Sequence, residues 1–298
     1  MANRAQIHLL PDGKRLFLHD GPIDIILEAF GTHAERHRAY AAAGERFVTV
    51  LDELCHELPI LRQPAGSSGA TLHGPVAQRM EAAVLPYASR WFITPMAAVA
   101  GAVAEELLAA MASAATLERA YVNDGGDIAL HLEHGQFRVG MIDQPDEPSL
   151  FGSIMLDPGQ PVRGIATSGW RGRSFSLGIA DAVTVLADRA SMADAAATII
   201  ANAVDLPGHA AITRQPACEI APDNDLGNLL VTRAVGELTL NEVESALTAG
   251  KIVAQTLLEE GLIRAAALRL QGQTRTTGVP LRSHTLENSG EPRRLLHA

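Results

Sequence analysis

The sequence predicts an α+β fold in which mixed or antiparallel sheets pack with helices. Strand and helix patterns intermix along the 298 residues without a regular strand–helix alternation, which argues against a doubly wound parallel sheet. Turn-forming residues at 11–13, 125–126 and 134–135 separate consecutive strand patterns, and such short turns are typical of antiparallel hairpins.

The elements of the first half follow from apolar runs and helical spacing. Short apolar runs predict strands over 6–10, 15–19, 23–30, 120–123, 127–132 and 137–142. Apolar residues repeated every three or four positions predict helices over 32–58, 71–84 and 95–114. Thr94 followed by proline marks the start of the third helix.

The second half continues the same mixture and then changes character. It predicts strands over 152–156, 162–167, 182–187, 229–235 and 265–270, and helices over 191–204 and 240–258. We therefore expect a single α+β domain over residues 1–271. From residue 272 onward the chain is polar, which predicts a disordered tail over 272–298.

Composition excludes several classes of partner. A net charge of −10 and a pI near 5.5 argue against nonspecific binding to nucleic acid or to anionic membranes. Cys55 and Cys218 lie in no metal-ligand spacing and are expected to be reduced thiols. The N-terminus carries no long apolar run, and the apolar stretch 95–111 is interrupted by Glu105 and Glu106, so we expect a cytoplasmic protein.

The segment 164–204 carries most of the chemical information. A predicted strand ends in Thr167, Ser168 and Gly169, whose hydroxyl and backbone N–H groups suit phosphate oxygens. An ordinary strand-ending turn is the alternative. Arg171 and Arg173 follow, and either pairs with a phosphate or forms a solvated surface charge.

Asp194 and Thr198 form the second candidate group in this segment. An acid and a hydroxyl four residues apart share one face of a helix, and both are hard oxygen donors that suit Mg²⁺. The alternative is a capping box, in which Ser191 caps the helix and Asp194 caps back. Asp181, at the start of a predicted strand, is the candidate for a second acid with a catalytic role, although it is also a common turn residue.

Two small-residue segments complete the candidate site. Gly125 and Gly126 would let a ligand approach the backbone closely, or would simply form a hairpin turn. The helix that starts with Pro95 and Met96 has almost no side-chain bulk in its first turns. A flat ring or a diphosphate could lie on it, or another helix could pack closely.

Taken in order, these motifs resemble the ApbE superfamily of flavin transferases, and in particular its uncharacterised UPF0280 branch. The resemblance covers residues 5–270 and rests on five motifs: R-M-E-A-A-V-L-P (79–86), T-P-M-A-A-V-A-G-A-V-A-E (94–105), A-T-S-G (166–169), S-F-S-L-G-I-A-D-A-V-T-V (174–185) and A-D-x-x-x-T (193–198).

The resemblance implies an ApbE-like, T-fold-like architecture with FAD or FMN as ligand and Mg²⁺ as cofactor. It implies either transfer of FMN to a threonine of an acceptor protein or cleavage of the FAD diphosphate. Asp194 and Thr198 would then bind the metal. Thr167, Ser168 and Gly169, together with Gly125, Gly126 and Met96, would line the nucleotide site.

Two departures from typical members keep an alternative open. The H-x-x-D-P-x-T-G segment has no counterpart between Trp170 and Ala180, and the lysine of the I-A-K-G helix is absent. A non-catalytic binding protein for a flavin or pterin-type cofactor, or a cofactor-biosynthesis enzyme with another substrate, is therefore the second interpretation. Small-residue helices and a spare sheet edge are compatible with a homodimer.

Overall fold

The computed structural model describes residues 4–67, 69, 71–142, 150–278 and 296–297. Helices and antiparallel strands occur together in these residues, so the predicted α+β class is confirmed. The chain divides into two compact units. The first comprises Met1–Gln136, Leu156–Ala166 and Asp188–Ala195, and the second comprises Phe137–Met155, Thr167–Ala187 and Ala196–Ala298. A single domain over residues 1–271 stays a prediction.

The described residues form the following elements. The helices are α1 (His33–Leu61), α2 (Pro75–Val84), α3 (Val99–Ala114), α4 (Ala190–Ala203), α5 (Ala217–Ile220) and α6 (Leu240–Glu259), with 3₁₀ turns at Leu85–Tyr87 and Pro95–Ala98. The strands are β1 (Gln6–Leu9), β2 (Leu16–Asp20), β3 (Ile23–Phe30), β4 (Arg119–Asp124), β5 (Asp127–Leu132), β6 (Phe137–Ile142), β7 (Leu150–Leu156), β8 (Gly164–Ser168), β9 (Ala182–Ala187), β10 (Ile212–Pro216), β11 (Leu230–Val235), β12 (Ala265–Leu270), β13 (Gln273–Gly278) and β14 (Leu296–His297).

The first unit is built on an antiparallel sheet in the order β1-β2-β3-β4-β5-β8. Alternating burial along β2, with Leu16 and Leu18 inside, is the pattern of a strand with one face on the core. The β4–β5 pairing places Asp124 directly opposite Asp127, so the hairpin between them has only Gly125 and Gly126 at its tip.

Helix α1 covers this sheet with one buried stripe. Its buried residues Ala39, Ala43, Phe47, Val50 and Leu54 recur every three or four positions, as an amphipathic helix requires. The helix begins after Thr32, whose hydroxyl accepts the Glu35 backbone N–H. It ends three residues later than predicted, with Pro59 in its last turn.

Helix α3 packs against α1, α2, β4 and β5 within the first unit. Together with the 3₁₀ turn before it, this helix forms a 20-residue stretch that is long and apolar enough, by length and composition, to cross a membrane. A buried core helix meets the same criterion. Leu107 and Met111 are fully buried, and Glu106 forms ion pairs with Arg46 and Arg79, which fits a core helix.

The second unit contains the antiparallel strands β9, β12 and β13, with α6 packed on β12 and β13. Helix α6 begins with a capping box formed by Thr239 and Glu242. Strands β10 and β11 form a separate antiparallel pair, and β6 pairs in parallel with β14.

The structure corrects the predicted boundary of the tail. Residues 273–278 form β13, paired along its whole length with β12, although their composition is polar. Three threonines in this strand explain the difference, because β-branched residues favour the extended backbone even when the strand is half-exposed. Residues 279–295 and 298, also assigned to the tail, lie outside the described residues.

Candidate functional site

The N-terminal turns of α3 and α4 meet within the first unit with their backbones in contact. A Cβ atom at Gly101 would lie 2.4 Å from the carbonyl oxygen of Ala190 and 2.7 Å from the nitrogen of Ser191. A Cβ at Gly164 would lie 2.0 Å from the carbonyl carbon of Arg189. Two successive peptides at the start of α4, 189–190 and 190–191, are therefore each in contact with a glycine, where no larger residue fits.

Each of these two helices supplies the acid that the other needs at its N-terminus. The N-cap of α3 is Ala98, which has no side-chain acceptor, and the first turn of a helix leaves N–H groups unpaired. The Asp194 carboxylate of α4 accepts the Gly101 N–H at 3.0 Å. In return, the Glu105 carboxylate of α3 accepts the Ser191 N–H at 2.8 Å and its hydroxyl at 2.7 Å.

This arrangement rules out the capping-box alternative for Asp194. A capping box would require the Asp194 carboxylate to accept the Ser191 backbone N–H. That N–H, and the Ser191 hydroxyl as well, donate to Glu105. Asp194 instead reaches across to the helix from which Glu105 comes.

The glycine hairpin of the first unit carries two further aspartates near Asp194. Gly125 and Gly126 have φ values of 64° and 116°, a region that side chains other than glycine's disfavour. The Asn123 side chain accepts the Gly126 N–H at 2.8 Å and fixes the turn. The glycines are therefore required by the turn itself, and the turn fixes the positions of Asp124 and Asp127.

Burial and negative charge act together on Asp194. Desolvation of its carboxyl group raises its pKa well above the ordinary value, and the negative charges of Asp127 and Asp124 raise it further. The N–H groups of Gly101 and Ala100 oppose the rise, but by less. The ionised form of Asp194 is thus costly in the protein alone, and a bound cation would stabilise it.

The donor chemistry fits Mg²⁺ only in combination with ligand oxygens. Carboxylates are the protein donors that Mg²⁺ prefers. Among the described residues, however, no three His, Cys, Asp or Glu side chains form a group that could hold a metal ion. Mg²⁺ is commonly bound by one or two carboxylates together with substrate phosphates, and Asp194 can serve as such an anchor.

Met96 lies in the 3₁₀ turn that precedes α3, between the buried residues Pro95 and Ala98. Its side chain is half-buried. The predicted regular helix from residue 95 therefore begins with one tighter turn, and α3 itself starts at Val99.

The Thr-Ser-Gly motif lies in the second unit from Thr167 onward. The hydroxyls of Thr167 and Thr184 are 2.9 Å apart and share a hydrogen bond, and Ser168 is half-buried. Gly169 meets a steric requirement, because a Cβ there would lie 2.4 Å from the carbonyl oxygen of Asp181.

Asp181 ties this loop to the turn between β12 and β13. Its Oδ1 accepts hydrogen bonds from the indole N–H of Trp170 at 3.2 Å and from Arg171 at 3.0 Å. Its Oδ2 accepts the backbone N–H of Gln271 at 2.6 Å, a residue held at a φ of 40°. The guanidinium of Arg171 also lies over the Trp170 ring. Arg171 is thus ion-paired with Asp181, although its side chain is exposed.

Replacing Asp181 with alanine is expected to destabilise the protein by about 2–3 kcal/mol, since a buried N–H and two side-chain donors lose their acceptor. Urea unfolding measures this change. Glu244→Ala, which removes the exposed partner of Arg275 in the same unit, is the control and should cost less than about 1 kcal/mol. Equal losses for the two variants would show that Asp181 is no anchor.

A family model described as AbpE bacteria matches residues 7–276, which is most of the chain. The chain belongs to this family. The predicted resemblance to ApbE-like UPF0280 proteins is thereby confirmed.

Curated relatives of this ApbE-like chain are UPF0280 proteins. That of Methanopyrus kandleri is 45% identical over 128 residues, covering 43% of this chain and 48% of the relative. That of Methanosphaerula palustris is 40% identical over 134 residues, covering 44% and 54%. The chain spans about half the length of these relatives.

Among solved structures, the apo form of the flavinyl transferase ApbE from Pseudomonas stutzeri aligns with a TM-score of 0.39 and 11% identity, over 92% of this chain and 93% of that one. An ApbE protein of Thermotoga maritima gives 0.37 and 15%, over 83% and 76%. Likenesses of this size support no inference about this chain.

In this ApbE-like chain, the first unit brings Asp194 together with the hairpin aspartates and the start of α3. Thr198 lies one turn after Asp194 on α4 and is half-buried. Thr167, Ser168, Gly169 and Asp181 belong to the second unit. The roles of all these residues in binding or catalysis stay predictions.

Sequence reasoning missed Glu105 and Gly101 as parts of the Asp194 site. Glu105 was noted only as a charge inside an apolar stretch. The available signal was Gly101 followed four residues later by Glu105 in a largely apolar helix, since both residues then lie on one face. The partner of that face could not be identified from spacing alone.

Proposed function

We propose that this protein binds a flavin nucleotide together with Mg²⁺ and acts on its diphosphate. The observation that carries the proposal is the position of Asp194, against the first turn of α3 and close to the charges of Asp124 and Asp127. Each of these negative charges makes ionisation of Asp194 less favourable in the protein alone. A divalent cation would offset their repulsion.

The chain's own residues would mainly position the substrate. Asp194 and Thr198 would hold the metal, and Mg²⁺ would neutralise charge on the diphosphate oxygens. Thr167, Ser168 and the backbone at Gly169 would contact phosphate oxygens, while Gly125, Gly126 and Met96 would line the nucleotide site. Diphosphate chemistry of this kind depends on placement and charge neutralisation more than on covalent steps.

Family membership makes two reactions the leading candidates. In the first, FMN is transferred from FAD to a hydroxyl of an acceptor protein and AMP leaves. In the second, water takes the place of that hydroxyl. Both reactions release AMP, both would operate in the cytoplasm, and neither calls for nucleic acid or a membrane as partner.

Release of AMP from FAD is the direct test. Wild-type protein with Mg²⁺ is expected to release AMP, with the acceptor reaction tested by adding candidate proteins. Asp194→Ala should lower the rate by about 100-fold, because losing several kcal/mol of charge stabilisation slows a reaction by that factor or more. Equal rates for the two proteins would remove Asp194 from the proposed site.

A second candidate function is favoured by the loop after the Thr-Ser-Gly motif. The segment 170–180 is short, and its Arg171 is ion-paired with Asp181 and lies over the Trp170 ring. A carrier of a flavin or pterin-type compound needs no further acid–base group there. An absorbance spectrum of the purified protein separates the two functions, since a bound chromophore without any AMP release would identify a carrier.

A further inference from the structure

We infer that Glu105 is a positioning residue that holds Asp194 in place for metal-dependent nucleotide binding. This inference rests on the proposed function of Asp194. It concerns a residue that contacts α4 and does not itself bind the ligand.

The contacts of Glu105 fix the start of α4 from two directions. Its Oε1 accepts both the backbone N–H and the hydroxyl of Ser191. Its Oε2 accepts the Arg189 guanidinium at 2.8 and 3.1 Å. Arg189 and Ser191 flank the first residue of α4, so one carboxylate determines where that helix begins.

Two reciprocal hydrogen bonds between α3 and α4 couple the position of Asp194 to that of Glu105. Glu105 lies one turn after Gly101 on α3, and Asp194 lies three residues after Ser191 on α4. Glu105 binds Ser191, and Asp194 binds Gly101. Any shift of the start of α4 along α3 therefore moves the Asp194 carboxylate away from the Gly101 N–H.

Close packing leaves the start of α4 little freedom to move relative to α3. Gly101 contacts the peptide between Ala190 and Ser191, and Gly164 contacts the peptide between Arg189 and Ala190, with no space for a Cβ at either glycine. The glycines permit this close packing but do not fix where α4 starts along α3. The Glu105 carboxylate fixes that position, because its hydrogen bonds are directional and largely shielded from water.

The neighbouring acid provides a matched control. Glu106 has a similar exposure, 12% against 10% for Glu105, and also binds two arginines. Its partners Arg46 and Arg79 lie on α1 and α2. Arg79 also lies 3.7 Å from Glu105, so the two acids share this cation. Loss of Glu106 removes ion pairs from the same helix but none of the hydrogen bonds that Ser191 and Arg189 donate to Glu105.

The experiment measures the dissociation constant of FAD with and without Mg²⁺ for wild type, Glu105→Ala, Glu105→Gln and Glu106→Ala. We expect Glu105→Ala to reduce the Mg²⁺-dependent gain in affinity by about 10-fold, as loss of a residue that orients a metal ligand usually does. Glu105→Gln keeps an oxygen for Ser191 and should recover much of this gain. Glu106→Ala should retain the wild-type gain even if its melting temperature falls.

The double variant Glu105→Ala/Asp194→Asn separates this inference from the proposed function. If Glu105 acts through Asp194, removing Glu105 has no further effect on Mg²⁺ dependence once Asp194 is replaced. Equal losses for Glu105→Ala and Glu106→Ala would overturn the positioning role. An unchanged Mg²⁺ effect in Asp194→Asn alone would instead overturn the proposed function.

Discussion

Replacing Gly101 with alanine is expected to destabilise the protein by about 3 kcal/mol, although alanine is the better helix former. The new Cβ would lie 2.4 Å from the Ala190 carbonyl oxygen and 2.6 Å from its carbonyl carbon. Both atoms are backbone, so the overlap can be relieved only by moving one helix away from the other. A fall in melting temperature of about 10 °C corresponds to this loss.

Gly44→Ala in α1 is the matched control for this prediction. There the nearest heavy atom to an added Cβ is the end of the Ile7 side chain at 3.3 Å, and that side chain is 40% exposed and free to shift. The change should stay within about 1 kcal/mol, because the gain in helix propensity offsets the contact. If Gly101→Ala were as mild as Gly44→Ala, the backbone contact between α3 and α4 would be wrong.

Asp194→Asn is expected to make the protein more stable at neutral pH while abolishing its Mg²⁺-dependent chemistry. The amide keeps an oxygen for the Gly101 N–H but carries no charge toward Asp124 and Asp127. Removing a costly, partly desolvated charge stabilises the fold, and removing the metal anchor lowers AMP release by about 100-fold or more. Functional sites commonly show this trade between stability and activity.

The pH dependence of this gain has a definite sign. The pKa of Asp194 is raised in the folded protein, so the folded state binds more protons than the unfolded state between the two pKa values. The free energy of unfolding of the wild type therefore falls as pH rises through that window. Relative to the wild type, Asp194→Asn should show no increase in the free energy of unfolding below about pH 4 and a growing increase above it. Melting temperatures measured without Mg²⁺ across this range check the prediction.

The fold could be predicted from sequence where local chemistry and packing agree. The hairpin at Gly125 and Gly126 is an example, because its turn needs positive φ and its flanking strands are apolar. The prediction for β13 was wrong for the opposite reason. Its residues are polar and show no alternation of apolar side chains, although its threonines favour the extended backbone that pairs with β12.

The candidate site could be predicted in its residues but not in its connections. Motif order pointed to Asp194 as a metal ligand, yet spacing alone favoured a capping box formed by Ser191 and Asp194. Asp194 reaches α3 because Gly101 and Gly164 each allow a close backbone contact at the start of α4. The residues in these contacts are 25 or more positions apart along the chain, so no periodicity within one element reveals them.

The most direct test of the account is calorimetric titration of FAD into wild type and Asp194→Asn, each with and without Mg²⁺. We predict that Mg²⁺ strengthens FAD binding in the wild type by 10-fold or more, which corresponds to a gain of at least about 1.4 kcal/mol in binding free energy. We predict no such effect in the variant. The same Mg²⁺ dependence in both proteins, or no FAD binding by either, would contradict the account.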